Sequence, residues 1–378
     1  MRIGILCYPT FGGSGIVATE LGKALAEKGH QVHFISYSQP VRLEFFSGNL
    51  FYHEVNVPDY PLFDYLPYEL ALTSKLVDVI KYEKLELLHV HYAIPHAYAA
   101  FMAKQILAAE NISLPIVTTL HGTDITLVGR NPNYKPAVTF SINQSDVVTS
   151  VSESLKKDTY DFFTITKEIE VIPNFIDFEF YNIPQPDDSF RKSIAPNSEK
   201  VICHISNFRP VKRVNDVIRI FANILAEKPA KLLMIGDGPE RESAQALTRE
   251  LGICDHVRFL GKSKSIEKLL AISDLFILPS ETESFGLAAL EAMAARVPVI
   301  STNTGGLPEV NMQGETGYLS DVGDIVNMAK DALKVLIDEP TLEAFKERAF
   351  TRAQEFSIQR ILPKYEAIYE KLYLKSKG

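Results

Sequence analysis

SETESFGLAALEAMAARVPVIST, residues 280–302, puts glutamates where a core helix has no use for them. The apolar run LFILPS leads into it, a polar loop holding Glu281 and Glu283 follows, and the helical pattern after that keeps Glu291 among Leu287, Ala288, Leu290, Ala292 and Met293. Ser284 reads as the N-cap of this helix. The amides of Phe285, Gly286 and Leu287 are then left without helical acceptors. A rise of about 1.5 Å per residue puts Glu283 and Glu291 roughly 12 Å apart along the axis. That span suits one ligand with a polar group at each end and a phosphate between, as in a sugar nucleotide. VPVIST closes the stretch as a second strand, so strand, helix and strand follow in the order of a parallel α/β sheet.

Reading outward, the second half repeats this alternation: VICHISN, AKLLMIGDG, VRFLG, LFILPS and VPVIST are strands, with helical segments such as VNDVIRIFANILAE between them. The first half does the same with RIGILCY, QVHFISY, ELLHVHY, LPIVTTLH and SDVVTSV. Continuous apolar strands followed by helices imply parallel sheets covered on both faces. The chain has 378 residues and a mass of 42.3 kDa, too much for one compact core. The expected fold is α/β, two Rossmann-like units in tandem, each with a parallel sheet. The expected boundaries are an N-terminal domain over 1–175, a C-terminal domain over 176–355, and a closing helix over 356–378 that packs back on the first domain. FEFYNIPQPDDSFRKSIAPNSEK, polar and proline-containing, reads as a linker, and residues 174–200 as the hinge region. The last forty residues are helical in pattern, with Pro363 near the start of the final segment.

Apolar residues make up 46% and charged residues 23%, the composition of a globular chain. The net charge of −8 opposes a nucleic-acid or anionic-membrane partner, so an anionic ligand has to be met by local cations. Cys7, Cys203 and Cys254 are odd in number and far apart, which suggests neither a disulfide framework nor a zinc cluster. The start has one basic residue and a short apolar run, and no stretch of 18 apolar residues follows, so a cytoplasmic location without a membrane anchor is expected.

In open parallel sheets, ligands sit at the carboxyl ends of strands. PTFGGSGIVATELG places Gly12, Gly13 and Gly15 between the first strand and a helix, where backbone amides can meet a phosphate or carboxylate. The glycine spacing is not that of the dinucleotide fingerprint. TTLHGTDI sets His121 before Gly122 at a strand end, as a hydrogen bonder or a ligand contact. HVHYAIPH holds His89, His91 and His96, but no nearby carboxylate or cysteine completes a metal set. ISNFRPVKRVND carries Arg209, Lys212 and Arg213 into a helix, a cation cluster suited to a diphosphate. IGDGPERE, with Gly236 and Gly238, reads as a tight turn alone.

The E-x7-E element from Glu283 to Glu291, ISTNTGGLPEV just after it and the Gly-Gly turn after the first strand together resemble the retaining glycosyltransferases of family four, which implies the GT-B fold, two facing Rossmann-like domains with parallel sheets and a cleft between them. The resemblance covers essentially the whole chain. YPTFGGSGIVATELG, LHGTDITLVG, SNFRPVKRV and PSETESFGLAALEAMA look like the group that joins N-acetylglucosamine from UDP-N-acetylglucosamine to L-malate at the entry to bacillithiol synthesis. By position, the resemblance implies that Glu291 holds the ribose hydroxyls and Glu283 meets the donor sugar. The amides of Phe285, Gly286 and Leu287 lie near the sugar and diphosphate. Lys212, Arg209 and the Gly13 turn neutralise the leaving diphosphate, and His121 contacts the sugar. The family pattern has an arginine five residues before the phosphate lysine; here Asn207 stands there, and Arg209 takes over its role. His121, Lys212 and Glu283 are thus the catalytic candidates. Ser14, Tyr92, Thr119, Ser152 and Arg209 are the candidates for holding the acceptor carboxylates.

The family's stereochemistry implies retention by front-face return, with Glu283 positioning rather than attacking the sugar, unlike the carboxylate pair of a retaining glycosidase. No Asp-x-Asp occurs, consistent with transfer that needs no metal or other cofactor. The expected partners are UDP-N-acetylglucosamine and L-malate, with self-association into a homo-oligomer left open. Rival readings are a glycosyltransferase with another sugar or lipid acceptor, a UDP-sugar epimerase and a non-catalytic sugar-nucleotide sensor. A dehydrogenase is opposed by the missing fingerprint.

Overall fold

The computed structural model describes residues 1–10, 12–43, 48–57, 66–181, 188–263 and 265–377. The chain forms two compact units: unit 1 is Met1–Phe175 with Ile358–Gly378, and unit 2 is Ile176–Ser357.

Unit 1 contains strands β1 (Arg2–Leu6), β2 (Gln31–Ser36), β3 (Leu50–Glu54), β4 (Leu87–His91), β5 (Ile116–Leu120), β6 (Val147–Ser150) and β7 (Ile169–Val171). They form one sheet in the order β3-β2-β1-β4-β5-β6-β7, every pair parallel. Unit 2 contains β8 (Lys200–Ile205), β9 (Ala230–Ile235), β10 (Val257–Gly261), β11 (Leu275–Leu278), β12 (Val299–Thr302) and β13 (Gly317–Ser320). Their order is β10-β9-β8-β11-β12-β13, again parallel throughout. These are two Rossmann-like α/β sheets of the GT-B class. In each, the strand order reverses beside the first strand, between β1 and β4 and between β8 and β11, which is the switch point where such sheets bind ligands.

The strands are buried because they are apolar along their whole length: β4 and β5 are buried at every position, as helices on both faces require. The helices follow amphipathic spacing. In Val214–Glu227 the residues Val214, Val217, Ile218, Ile220, Phe221 and Ile224 are buried, and they enter the unit 2 core with Ile202, Leu232, Met234 and Leu275. Each such side chain contributes about 1.5–3 kcal/mol by burial.

Two expectations, the linker and the strand list, need correction. The stretch 178–200 is not a featureless linker. Phe178–Tyr181 and Asp188–Ile194 are helical and belong to unit 2, where the Arg191 guanidinium lies 2.7 Å from Asp274; residues 182–187 lie outside the described set. Pro363 lies near the start of the final helix, Ile358–Lys377, as read from the sequence. Strands β3, β7 and β13 are additional to those read from sequence, being short and without a long apolar run.

The final helix packs in unit 1 through Tyr365 and Tyr369, 1% and 0% exposed and one turn apart. Cys7 and Cys203 are buried, and burial pushes both thiols up to about 12, which leaves them inert at neutral pH.

Candidate active site

In unit 2 the loops after β8 and β11 meet at the switch point. The Glu281 amide donates to the Val211 carbonyl at 2.8 Å and ties the two loops together by their backbones. This brings Lys212 Nζ to 2.5 Å from Glu283 Oε1, and the Ser280 hydroxyl donates to the same oxygen at 2.9 Å. Glu283 is therefore held as an acceptor by a cation and a hydroxyl, the opposite of what a free nucleophile needs.

Two neighbouring turns brace these loops. At Gly305 φ is +56° and an added Cβ would lie 1.9 Å from the Glu283 carbonyl oxygen, while the Gly306 amide donates to that oxygen at 2.9 Å. At Gly236 φ is +126° and a Cβ would lie 1.7 Å from the Ser206 carbonyl oxygen. The IGDG turn is thus a support for the cation loop rather than a turn alone.

His204 extends that support. Its Nδ1–H donates to the Ile277 carbonyl at 2.8 Å, and Nε2 lies 2.8 Å from Ser206 Oγ, which also accepts from the Phe208 amide at 3.2 Å. Burial lowers His204 to about 4, so the ring is neutral and Nε2 accepts from the hydroxyl. The chain holds Phe208 at φ +42° beside Asn207 and Arg209, both exposed.

Arg209 caps the short turn Pro210–Lys212 by its backbone, and its side chain is exposed. Arg213 leaves the cation cluster: its Nε lies 2.6 Å from Asp216 on the same helix. The three expected cations do not converge, because the left-handed backbone at Arg213 turns its side chain onto its own first turn.

The helix after the glutamate loop is Leu287–Ala294, and its N-cap is Gly286 at φ +94°, with no side-chain cap. Ser284 is not the cap, since the helix begins later than the apolar pattern suggested. Leu287 remains a first-turn amide, following directly on those of Phe285 and Gly286. Glu291 is 6% exposed and accepts from the Tyr181 hydroxyl at 2.6 Å. Tyr181 escaped the sequence reading because it lies in the stretch taken as a linker.

In unit 1 the loops after β1 and β4 meet in the same way. Ser14 lies in the first turn of the helix Gly13–Glu27, and its Oγ is 2.7 Å from Tyr92 Oη. Tyr92 has φ +87°, donates its amide to the Thr119 carbonyl at 2.9 Å, and has its ring centroid 5.2 Å from that of His121. Thr119 is fully buried, its hydroxyl 2.7 Å from both His89 Nε2 and Thr149 Oγ1. Ser152 is fully buried as an N-cap that accepts from the Leu155 amide at 3.0 Å. Ser14 and Tyr92 therefore present polar atoms at the strand ends, while Thr119 and Ser152 lie in the framework behind them.

Behind His121 is a buried chain that the sequence did not reveal. His121 Nε2 is 2.7 Å from His91 Nδ1, and His89 Nδ1 is 2.6 Å from Tyr369 Oη on the final helix. Burial, the main cause, takes His121 and His89 to about 3 and His91 well below its ordinary range, so all three rings are neutral. His91 Nε2 has no hydrogen-bond partner among the described residues. An orphaned buried N–H is rarer than an idle acceptor, which places the His91 hydrogen on Nδ1, donating to His121 Nε2. Neutral His121 then carries its own hydrogen on Nδ1. The carboxylate of Asp124 fixes the adjoining loops by accepting from the amides of Ala93 at 2.8 Å and Gly122 at 3.1 Å, and burial raises it to about 6.

With this geometry in place, the likeness to known proteins is specific. Residues 11–180 match the family described as Glycosyltransferase Family 4, and residues 186–352 match Glycosyl transferases group 1. The chain belongs to this glycosyltransferase family. It is 49% identical over 370 residues, covering 98% of this chain and 96% of the relative, to the N-acetyl-alpha-D-glucosaminyl L-malate synthase of Bacillus anthracis. Among solved structures, sucrose-phosphate synthase from Thermosynechococcus elongatus superposes with a TM-score of 0.81 at 18% identity, covering 99% of both chains. Anabaena Alr3699/HepE in complex with UDP-glucose gives 0.81 at 20% identity, covering 98% of this chain and all of that one. These two likenesses support the fold.

Among the described residues no helix is long and apolar enough to cross a membrane.

Proposed function

We propose that this enzyme transfers N-acetylglucosamine from UDP-N-acetylglucosamine to the hydroxyl of L-malate, with retention at the anomeric carbon, as the first step of bacillithiol synthesis in the cytoplasm. The observation that carries the choice of donor and acceptor is the 49% identity across 98% of the chain to an enzyme named for that product. The site supports the chemistry. Lys212, Arg209 and the amides of Phe285, Gly286 and Leu287 meet the diphosphate, where negative charge grows as the sugar departs. Glu291 takes the ribose hydroxyls, with Tyr181 holding its carboxylate. Asn207 supports the cation loop from the place where the family has arginine.

Glu283 acts as a positioning acceptor for the sugar hydroxyls, since Lys212 and Ser280 both occupy one of its oxygens. Retention then follows from return on one face. The bond from the anomeric carbon to the diphosphate oxygen breaks, the malate oxygen bonds to that carbon from the same side, and the hydroxyl proton passes to the departing phosphate. Charge neutralisation by side chains and amides leaves no step that requires a metal. In unit 1, neutral His121 offers Nδ1–H to the sugar. Ser14 and Tyr92 meet the malate carboxylates, and Thr119 and Ser152 stiffen that set.

The test is UDP release from UDP-N-acetylglucosamine with L-malate, D-malate, succinate or no acceptor, with the product's anomeric configuration read by NMR. L-malate-dependent release giving an α-linked product is expected. Release that another acceptor supports and malate does not would discard the acceptor, and an inverted product would discard the mechanism.

A further inference from the structure

Unit 1 holds a second constellation of ligating side chains, built from residues with no part in the transfer reading. His33 on β2 pairs in register with Phe51 on β3, and His53 stands two residues further along β3, on the same face as Phe51. His33 and His53 are thus diagonal neighbours. Nδ1 of His33 and Nε2 of His53 lie 2.9 Å apart, and the two rings stack 17° from parallel. Phe51 lies flat against His33 at 4.6 Å, which fixes the plane of that imidazole. Glu83, the last residue of the helix Tyr68–Glu83, brings a carboxylate oxygen to within 4.8 Å of a ring nitrogen of each histidine.

We propose that His33, His53 and Glu83 form a binding site for a first-row divalent metal ion, with zinc the best match, that clamps edge strand β3 to β2 and to the end of this helix. Two imidazole nitrogens and one carboxylate oxygen are a ligand set that suits zinc, and they leave a fourth tetrahedral position for water. Tetrahedral ligands at about 2.0–2.1 Å from zinc are separated by roughly 3.3 Å. The 2.9 Å nitrogen separation needs a few tenths of an ångström of opening, together with a turn of both rings that aims the two inner lone pairs at one ion instead of at each other.

Two further observations agree, and a third sets the starting tautomer. The ligands come from three separate elements, so one ion cross-links what the fold leaves as a sheet edge. The carboxylate sits at a helix C-terminus, where the backbone dipole favours a cation. His33 is 2% exposed and its Nε2 has no partner among the described residues, so by the rule applied to His91 its hydrogen rests on Nδ1 and donates to His53 Nε2 until an ion takes that nitrogen. On ion binding, the hydrogen shared between the rings moves to the outer nitrogen of whichever ring carried it, and no proton need leave the protein. Of the cations that bear on the pair, Lys75 acts on His53, and Arg2 acts on His33 with its own charge offset by Glu86 at 3.7 Å.

The experiment uses the full chain after chelator treatment. Zinc is titrated calorimetrically and cobalt by its visible spectrum, for the wild type and for His53→Gln and Glu83→Gln, two partly exposed positions outside the transfer machinery. The expected result is about one ion per chain with micromolar or tighter affinity, a four-coordinate cobalt spectrum, and at least tenfold weaker binding in each variant. Circular dichroism confirms that both variants fold, and UDP release is expected to match the wild type in all of them. Affinity in the millimolar range, a six-coordinate cobalt spectrum, or binding that neither variant weakens would overturn the proposal. The proposed transfer reaction would stand or fall separately, on its acceptor dependence.

Discussion

Gly305→Ala separates the geometry of the glutamate loop from the general cost of a substitution. A left-handed backbone costs an L-residue about 1–2 kcal/mol. In addition, the new Cβ would sit 1.9 Å from the Glu283 carbonyl oxygen, and contacts under 3.0 Å are not tolerated, so the loop must retreat by about 1.1 Å, the difference of the two. That retreat weakens the Gly306 amide bond to the same oxygen, worth about 1 kcal/mol. The total is about 2–3 kcal/mol, or roughly 4–12 °C in melting temperature for a unit of this size. A misplacement of about 1 Å at a positioning group costs on the order of 100-fold in rate. Gly314→Ala is the control: φ is +75°, but nothing lies within 4 Å of the added Cβ, so it carries the backbone cost alone. The assay is kcat and KM for UDP release beside a thermal melt of each protein. Gly305→Ala is expected to lower kcat about 100-fold and Gly314→Ala to leave it near wild type. Equal kcat in the two variants would refute the claim that this turn sets the position of Glu283.

Lys212→Gln removes the cation from Glu283 and the diphosphate, and kcat is expected to fall by about 100- to 1,000-fold with little change in melting temperature; a change confined to KM would exclude a transition-state role. Tyr369→Phe leaves buried His89 Nδ1 without its partner and is expected to cost about 1–3 kcal/mol in urea unfolding; no loss would mean that the final helix does not depend on this bond. His91→Leu removes the hydrogen bond that sets the His121 tautomer, so imidazole nitrogen NMR of His121 is expected to show both tautomers and kcat to fall, whereas an unchanged spectrum would break the chain of reasoning behind it. Stability should also drain on mild acidification. His89, His96 and His121 have folded values of about 3, 4 and 3 against an ordinary 6.5. The unfolded chain therefore takes up protons first, and the stability is full above pH 6.5 and lost as pH falls toward 3–4. By pH 5 the loss is about 2 kcal/mol per histidine. Asp124, raised to about 6, acts in the opposite sense: its contribution is present at low pH and lost as pH rises through 6, and one group does not offset three. A urea midpoint equal at pH 7 and pH 5 would contradict the assignment of neutral, buried rings.

The parts legible in the sequence were those with a strong local period or a rare residue at a strand end. The two alternations of strand and helix could be read because parallel strands covered on both faces are apolar throughout, as in LLHVH of β4. Glu283 and Glu291 stood out because acids amid an apolar helix pattern need a reason. What escaped depends on contacts distant in the chain. Tyr181 meets Glu291 across 110 positions, and Tyr369 meets His89 across 280, so no window along the sequence contains either pair. The helix start was misplaced for a different reason. Ser284 has the chemistry of a cap, but the positive φ of Gly286 delays the first helical residue to Leu287, and a backbone angle leaves no side-chain signature beyond glycine itself. Gly236 and Gly305 show the same limit, because only the fold tells whether another backbone occupies the space where a Cβ would stand.

The same device serves two different chemistries in the two units. In each sheet the loops after the first and fourth strands meet at the reversal of strand order: Ser14 with Tyr92 in unit 1, Lys212 with Glu283 in unit 2. Positive-φ residues lie at or beside these junctions, Tyr92 in one unit and Phe208, Arg213 and Gly286 in the other. Such conformations cost of order 1–3 kcal/mol each for residues other than glycine and persist only where surrounding bonds over-determine them. Those bonds are present: the Tyr92 amide on the Thr119 carbonyl, and the relay from Ile277 through His204 and Ser206 to the Phe208 amide. The neutral pair in unit 1 suits hydrogen-bonding to hydroxyls and carboxylates, whereas the ion pair in unit 2 stands ready to exchange one anion for another. In the proposed reaction a diphosphate would compete for Lys212, while Ser280 still holds Glu283 Oε1 and the second oxygen is left to accept a sugar hydroxyl.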